Sequence, residues 1–177
     1  GVSSAASDVY KRQTLQRVCQ SVIMGVAEPT LWQIDGGLRP EGKDGPLVRR
    51  LESHEAYYEQ WAENWEFQAL LKARPVAGDS DLGQAYMSMT RPFVWTASKR
   101  DNFVYDCQQM RKRVEDLIPN PLKDREIKLG RGGLRDVEFT VQMLQLVHGR
   151  SDEALRTSST LESLQALAEG GYVSRKQ

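Results

Sequence analysis

The sequence predicts an α+β fold in which a small part with both strands and helices precedes an all-helical part. Strand-like alternation of apolar and polar residues is confined to residues 30–35 and 46–49. Helical periodicity follows and continues through the rest of the chain. The composition, 40% hydrophobic and 27% charged, is ordinary for a globular protein. We expect the two parts to divide near residues 75–95.

Bulk charge and hydropathy exclude several functional classes. The 177 residues contain 24 basic and 24 acidic side chains, so no net charge draws the chain to nucleic acid or to a membrane surface. No apolar run reaches the length of a membrane span, and no signal peptide opens the chain. Cys19 and Cys107 lack metal-ligand spacing and are interpreted as reduced packing residues. We therefore expect a cytoplasmic protein without a nucleic-acid or membrane partner.

The first elements are short. Residues 1–13 are small, polar and unpatterned, which indicates a leader foreign to the natural protein or a disordered terminus. Apolar periodicity begins abruptly after them and predicts a helix at residues 15–24. A strand at residues 30–35 and a shorter one at residues 46–49 complete this part.

A long helix is predicted next, at residues 53–73, because aromatic and small residues recur every four positions on one face. Pro75 and Gly78 end this helix, and the following helix is expected to stop before Pro92. The residues of the predicted face are Tyr57, Trp61, Trp65 and Ala69.

The second half of the chain is predicted to consist of helices and loops. One amphipathic helix begins at Asp101, and its polar face, with residues 111–113, is expected to be solvated. A loop at residues 127–133 precedes helices at residues 136–148 and 159–168, the last with a Ser-x-x-Glu capping box. The apolar stripe of the helix that begins at Asp101 consists of Phe103, Cys107, Met110, Val114 and Leu117.

A carboxylate at the end of a short apolar run, Asp35, is followed at once by a loop of glycines and opposite charges. An acid at a strand end can bind a hard divalent cation, and Arg39, Lys43 and the flexible backbone can bind phosphate oxygens. Phosphoryl or nucleotidyl transfer requires groups of these kinds. The alternative is that Asp35 only shapes a glycine-rich turn.

A second cluster of glycines and charges lies directly before the helix at residues 136–148. Unpaired amides and the helix dipole favour anions there, and glycines let the backbone approach a phosphate closely. Asp136 and Glu138 could position the basic groups. Glu138 is also the first residue of a polar strip, with Gln142 and Gln145, that is expected to face a cleft or a partner domain. The alternative is a flexible hinge with a salt-bridged helix start. The cluster consists of Lys128, Gly130, Arg131, Gly132, Gly133 and Arg135.

The third cluster lies at the end of the predicted aromatic helix. Glu66, Lys72 and Arg74 fall outside the face that carries Trp61 and Trp65. Charges at such a position are usually solvated. The functional alternative is that Lys72 and Arg74 reach back to nucleotide phosphates held beside Asp35.

Three motifs occur in order along the chain. They are Asp-Gly-Gly-Leu-Arg-Pro-Glu-Gly-Lys-Asp-Gly-Pro-Leu-Val at residues 35–48, Trp-Glu at residues 65–66 with Lys-Ala-Arg at residues 72–74, and Lys-Leu-Gly-Arg-Gly-Gly-Leu-Arg-Asp-Val-Glu-Phe at residues 128–139. In this order and spacing they resemble the bacterial glutamine synthetase adenylyltransferase family, which is a family of bifunctional adenylyl transferases and adenylyl-removing enzymes. The resemblance extends from about residue 14 to the end of the chain.

The resemblance implies the C-terminal part of a polymerase-β-type nucleotidyltransferase domain at residues 14–78. An all-α domain of the PII-uridylyltransferase type would follow at residues 79–177, incomplete at its C-terminus. Asp35 corresponds to the third metal-binding acid, a catalytic position for Mg²⁺, and Arg39 and Lys43 would flank the nucleotide phosphates. The family's Gly-Ser turn and Asp-x-Asp pair lie upstream and are absent here, so the fragment alone is not expected to catalyse.

The resemblance also implies substrates and partners. Family enzymes attach AMP from ATP to a tyrosine of glutamine synthetase, or remove it with phosphate and release ADP, and the PII signalling protein regulates them. Family enzymes carry two copies of this unit, one for each reaction, and residues 91–95 and 155–159 resemble the amino-terminal, AMP-removing copy. Asp136 and Glu138 are further candidates for contact with the protein substrate. The alternatives are another polymerase-β-type enzyme, such as a PII uridylyltransferase, and a non-catalytic helical docking module.

Overall fold

A computed structural model describes residues 2–25, 34–119 and 125–174 of the chain. All regular structure within these residues is helical. Short 3₁₀ turns occur at Gly42–Asp44, Ala97–Lys99 and Glu153–Leu155. The α-helices of the described residues are α1 (Val2–Ile23), α2 (Leu51–Gln60), α3 (Asn64–Leu70), α4 (Ser80–Thr96), α5 (Phe103–Asp116), α6 (Leu134–His148) and α7 (Thr160–Glu169).

The chain forms two compact units, residues 1–61 and residues 62–177. The helix α3, whose residues we assigned to the first predicted domain, lies in the second unit, where it packs against α4, α5 and α6. The domain boundary at residues 78/79 stays a prediction. None of the described helices is both long enough and apolar enough to cross a lipid bilayer.

In the first unit, the predicted strand at residues 46–49 is wrong, because these residues form bends and irregular backbone. Arg49 at its end instead forms an ion pair with Glu41 at 2.9 Å and lies over the ring of Tyr57, 5.6 Å from its centroid. The other predicted strand, residues 30–35, lies mostly outside the described residues, and its last two positions have no regular structure.

Helix α1 begins at Val2 rather than at residue 15 as predicted. Its side chains are largely exposed over residues 9–23, so this described part of the helix buries no continuous apolar stripe. The foreign origin of residues 1–13 stays a prediction.

The predicted long helix at residues 53–73 is interrupted between Trp61 and Glu63. A capping box starts α3 there: the Glu63 amide donates to Oε1 of Glu66 at 2.9 Å, and the Glu63 side chain accepts from the Glu66 amide. Trp61 is 73% exposed, while Tyr58 is buried. The predicted aromatic face is therefore wrong, because it assumed one continuous helix.

Helix α4 continues through Pro92 to Thr96, although the sequence predicted an end before the proline. A proline removes one backbone donor from a helix. Pro92 lies on the exposed side of α4, where water can replace the missing hydrogen bond. The N-cap is Asp79, whose carboxylate accepts from the Leu82 amide at 2.8 Å.

The later helices largely match the predictions. In α5, Phe103 and Cys107 are buried as predicted, but Leu117 is 82% exposed. In α7, the Ser159 hydroxyl caps the helix by accepting from the Glu162 amide at 3.3 Å. One core cluster joins α6 and α7, and it consists of Val141, Leu155 and Leu167 with Leu144, Ala166, Tyr172 and Val173 packed against it.

Candidate functional site

Asp35 is an exposed residue of the first unit, and its carboxylate accepts a hydrogen bond from the Gly37 amide at 2.8 Å. This bond makes the tight local turn that we considered as the non-functional alternative. Asp35 also lines a cavity of about 800 Å³ together with Arg39, Lys43 and Asp44. The first predicted cluster is therefore assembled around one cavity, although the turn alone would explain the acid at position 35.

Arg39 holds the loop in shape. Its guanidinium donates to the carbonyls of Gly36 at 2.7 Å, Lys43 at 2.9 Å and Gly45 at 3.0 Å. A side chain at Gly36 would place its Cβ 2.1 Å from Nη1 of Arg39, so glycine at this position makes room for the arginine.

Arg39 is thus engaged inside the loop rather than held ready for a phosphate. Lys43 is exposed, and within the described part of the chain its ammonium group has no ion pair. Of the two predicted phosphate ligands, Lys43 is the one whose charge is available to a ligand.

The described residues supply one candidate ligand for the Mg²⁺ that the resemblance implies. Magnesium is usually held by one or two carboxylates together with water and substrate phosphates. Asp35 fits such a single-ligand role. However, no group of three or more His, Cys, Asp or Glu side chains in residues 2–25, 34–119 and 125–174 is arranged to hold a metal ion.

In the second unit, Lys72 joins the end of α3 to the beginning of α7. Its ammonium group lies 2.6 Å from the Ser158 carbonyl oxygen and 2.8 Å from the Thr160 hydroxyl. Glu66 is buried and belongs to the capping box of α3. Arg74 is exposed and lines a cavity of about 1040 Å³ in this unit. Of the third predicted cluster, Arg74 is the member with a side chain open to a ligand.

The glycine-rich loop before α6 is held by Arg111, which the sequence placed on a solvated face. That prediction is wrong: the Arg111 side chain is only 11% exposed and forms an ion pair with Asp136. Its Nη2 also donates to the carbonyls of Leu129 at 2.9 Å and Gly130 at 3.1 Å. No spacing in the sequence distinguishes Arg111 from its neighbours Lys112 and Arg113, which are exposed.

The backbone amides of this loop donate within the protein. The Gly130 amide donates to the Glu126 carbonyl at 3.0 Å, the Gly132 amide to the Asp136 carboxylate at 2.5 Å and the Gly133 amide to the Gly130 carbonyl at 3.0 Å. The first amides of α6 are likewise bonded to Ile127, Lys128 and Gly133. The prediction that these amides are unpaired and face an anion is therefore wrong.

The groups of this loop that are accessible to a ligand are charged side chains. Lys128 and Arg131 are exposed. Gly133 has a packing role, since a Cβ there would lie 2.4 Å from the Ile127 carbonyl oxygen. Gly132 has a φ of +75°, which glycine adopts without strain.

The polar strip of α6 faces the interior of the second unit. Glu138 pairs with Arg135 at 3.0 Å and accepts from Gln142 at 3.3 Å. Gln142 in turn accepts from Gln68 of α3 at 2.9 Å, and both glutamines are buried. The prediction that this strip faces a cleft or another domain is therefore wrong for Gln142, which pairs with a neighbouring helix of the same unit.

Asp136, in the first turn of α6, has a carboxyl group with a shifted pKa. Partial burial raises the pKa of its carboxyl, but the hydrogen bonds from Arg111 and the Gly132 amide, with the charges of Arg111 and Arg131, outweigh that effect and lower the pKa below its usual value. Asp136 is thus held ionised as the acceptor that fastens the loop to α5 and α6.

Two protein-family models match the chain. The model described as glutamate-ammonia ligase adenylyltransferase matches residues 1–89, and the model described as GlnD PII-uridylyltransferase matches residues 106–177.

Similar proteins carry the name bifunctional glutamine synthetase adenylyltransferase/adenylyl-removing enzyme. The chain is 88% identical to one from Bifidobacterium longum over 163 residues, which cover 92% of the chain and 15% of that protein. It is 64% identical to one from Corynebacterium efficiens over 83% of the chain and 14% of that protein, and 58% identical to one from Mycobacterium tuberculosis over 88% of the chain and 16% of that protein.

The chain therefore spans about 15% of the length of these relatives. The identity is high over most of the chain, and the first family model matches half of it. The chain belongs to the glutamate-ammonia ligase adenylyltransferase family.

Proposed function

We propose that this chain is part of an enzyme that controls glutamine synthetase in nitrogen assimilation, by removing AMP from a tyrosine or by attaching it. The observation that carries the proposal is the 88% identity to a bifunctional relative over 92% of the chain. Attachment uses ATP, and removal uses inorganic phosphate and releases ADP. Both reactions are displacements at the α-phosphorus, so positioned charges can serve either direction.

In this proposal the chain contributes the C-terminal part of a polymerase-β-type, α+β nucleotidyltransferase domain and most of the helical domain that follows. The order of the two family models supports this division. We assign the chain to the AMP-removing half because of its sequence at residues 91–95 and 155–159. The ATP and ADP chemistry implies a cytoplasmic enzyme, and the PII-uridylyltransferase-like helical domain is the basis for proposing regulation by PII.

The site residues take different roles in this proposal. Asp35 supplies one metal ligand and is the catalytic residue, and Lys43 contacts the phosphate groups of the substrate. Arg39 keeps the loop between them in shape, as its bonds to the Gly36, Lys43 and Gly45 carbonyls indicate. When bound, Mg²⁺ would neutralise charge on the phosphate oxygens.

The second unit contributes exposed cations and a supporting framework. Arg74 and Lys128 are the candidate phosphate ligands of this unit, because both are exposed. The framework consists of Glu66, Lys72, Gly130, Gly132, Gly133, Arg135, Asp136 and Glu138. Because the family's Asp-x-Asp metal pair is not among the motifs of this sequence, we expect the isolated chain to be inactive.

A PII uridylyltransferase is the second candidate, since one family model of that description matches residues 106–177. It would share the helical domain and transfer UMP instead of AMP. The adenylyltransferase model over residues 1–89 favours the first candidate, because these residues include Asp35 and its loop. In the third alternative, a docking module, Asp35 would have only its turn-forming role.

The test replaces the matching segment of the Bifidobacterium longum relative with this chain and measures both reactions on glutamine synthetase. We expect AMP removal and AMP attachment to persist. A swapped protein that folds but performs neither reaction, or that transfers UMP to PII, would contradict the proposal.

A variant of the swapped protein tests the site. Lys43→Ala in the swapped protein should raise the KM for inorganic phosphate by about tenfold, the loss expected for one charge-assisted contact. Lys99→Ala, an exposed lysine of the second unit, is the matched control and should leave the KM unchanged. Equal KM values for the two variants would remove Lys43 from the site.

A further inference from the structure

The second unit contains a cavity of about 1040 Å³ between the end of α3, α4 and the segment that follows α6. Four arginines from these elements line it, Arg74, Arg91, Arg150 and Arg156, and we call it the arginine groove. Glu153 is the acidic residue in its lining. The groove therefore has a strong excess of positive charge in a chain whose net charge is zero.

Three of these arginines are available to a ligand. Arg156 is already engaged: it pairs with Glu153 at 2.8 Å and donates to the Gly149 carbonyl at 2.7 Å. Arg74, Arg91 and Arg150 are exposed, and in the described part of the chain none of them has an ion pair. Since the one acid is neutralised by Arg156, the remaining charge is uncompensated.

The walls of the groove are partly apolar. Leu70 and Met87 line it and are half-buried, so they offer apolar surface to a ligand, whereas Leu71 and Val94 in the same lining are almost fully buried. Burial of an apolar side chain against such a surface is favourable in proportion to the area removed from water. A ligand that fills the groove would thus gain from both apolar and anionic groups.

The single aromatic ring in the lining, Trp95, is not free to stack on a nucleobase. The guanidinium of Arg156 lies over this ring, 5.3 Å from its centroid. Gly149 packs against the ring as well, since a Cβ there would lie 2.9 Å from Cζ3 of Trp95. A phosphate group alone would use the arginines but would leave the apolar wall exposed.

We propose that the arginine groove binds an extended peptide segment of a partner protein in which acidic side chains are interspersed with apolar ones. Arginine clusters are a recurrent means of recognising acidic motifs, because the guanidinium fork binds carboxylates with two parallel hydrogen bonds. The apolar wall accommodates the residues between the acids. Here Arg74 would contact an acidic side chain of the peptide instead of the nucleotide phosphate proposed above, and binding measured on the chain itself distinguishes the two assignments.

The test measures binding of the whole 177-residue chain to a fluorescently labelled synthetic peptide of glutamates interspersed with leucines, by fluorescence anisotropy. The double variant Arg91→Glu/Arg150→Glu reverses two charges of the groove. The double variant Lys112→Glu/Arg113→Glu makes the same change in net charge on the exposed face of α5 and is the matched control. Thermal unfolding verifies that both variants are folded.

We expect the groove variant to weaken binding by about tenfold or more and the control by less than about twofold, given the strength of exposed charge pairs. A peptide with glutamine in place of glutamate should not distinguish the two proteins: its affinity for the unaltered chain should be no higher than its affinity for the groove variant. Three results would overturn the proposal: no binding, equal weakening by both variants, or displacement of the peptide by ATP or inorganic phosphate, which would indicate a phosphate site.

Discussion

The ammonium group of Lys72 lies 2.6 Å from the carbonyl oxygen of Ser158, and this contact joins two helices that are far apart in sequence. The same group is 2.8 Å from the hydroxyl of Thr160, the first residue of α7. A lysine that occupies carbonyl and hydroxyl acceptors in this way has a structural role in the second unit. Arg74, two residues later, is exposed, and its side chain has no such acceptors among the residues that the structure describes.

Substitution of Lys72 by methionine should therefore destabilise the chain, whereas Arg74→Ala should not. Loss of the two hydrogen bonds leaves the Ser158 carbonyl without its charged donor, which we expect to cost about 1–3 kcal/mol in the free energy of unfolding. Arg74→Ala should change it by less than about 0.5 kcal/mol. Urea unfolding measures both values, and equal effects of the two substitutions would contradict the structural role of Lys72.

Because ionised Asp136 holds the glycine-rich loop in place, the stability of the chain should depend on pH. A carboxyl group with a lowered pKa in the folded chain stabilises that chain above its unfolded pKa, and this contribution disappears as pH falls through the folded pKa. Asp136→Asn should be less stable than the unaltered chain at pH 7, and the difference should shrink below about pH 4.

Asp116→Asn, at the exposed end of α5, provides the control for this experiment. Its free energy of unfolding should differ little from that of the unaltered chain at pH 7 and at pH 3. A difference for Asp136→Asn that stays constant between pH 7 and pH 3 would show that ionisation of Asp136 does not fasten the loop.

The two glycines at the start of α6 should respond differently to alanine. Gly133→Ala brings a Cβ within 2.4 Å of the Ile127 carbonyl oxygen, so the backbone must move, at a cost of about 2 kcal/mol or more. Gly132→Ala meets no atom within 4 Å but must adopt a φ of +75°, which costs about 1 kcal/mol. If thermal unfolding gave the opposite order, the loop conformation described for residues 127–133 would be incorrect.

The two cysteines should differ in reactivity. Burial raises the pKa of Cys107 to about 11, and the neighbouring charge of Asp106 raises it further in the same direction. Because the thiolate is the reactive form and the side chain is only 2% exposed, Cys107 should react with iodoacetamide far more slowly at pH 8 than the more accessible Cys19. Peptide mass spectrometry after brief labelling measures both rates. Labelling of Cys107 as fast as Cys19 in the folded chain would contradict its burial.

Sequence patterns predicted the last two helices of the second unit well because each of them carries a local signal. The helices at residues 136–148 and 159–168 and the Ser159 cap are confirmed, and each depends on contacts within one helix. The interruption at Trp61 was missed because the charges of Glu63 and Glu66 resemble those of any exposed helical turn until their backbone bonds are known.

The site was harder to predict because side chains of the same type have different partners. Arg39 and Lys43 both follow Asp35 in a glycine-rich loop, yet within the described ranges Arg39 is bonded to carbonyls and the Lys43 side chain is not. Arg111 and Arg113 are two residues apart, and only Arg111 reaches Asp136. Such differences depend on the folded backbone, which neither spacing nor composition specifies.

The most direct test of the central claim is the rate of phosphate-dependent AMP removal in the segment-swapped relative carrying Asp35→Asn. We expect this rate to fall by about 100-fold or more, as for loss of a metal-binding carboxylate, while AMP attachment by the same protein stays nearly unchanged. Asp44→Asn, which alters another exposed acid of the same cavity, should leave both rates intact. If Asp35→Asn instead retained normal rates of both reactions, Asp35 would be only a turn residue and the catalytic assignment would be wrong.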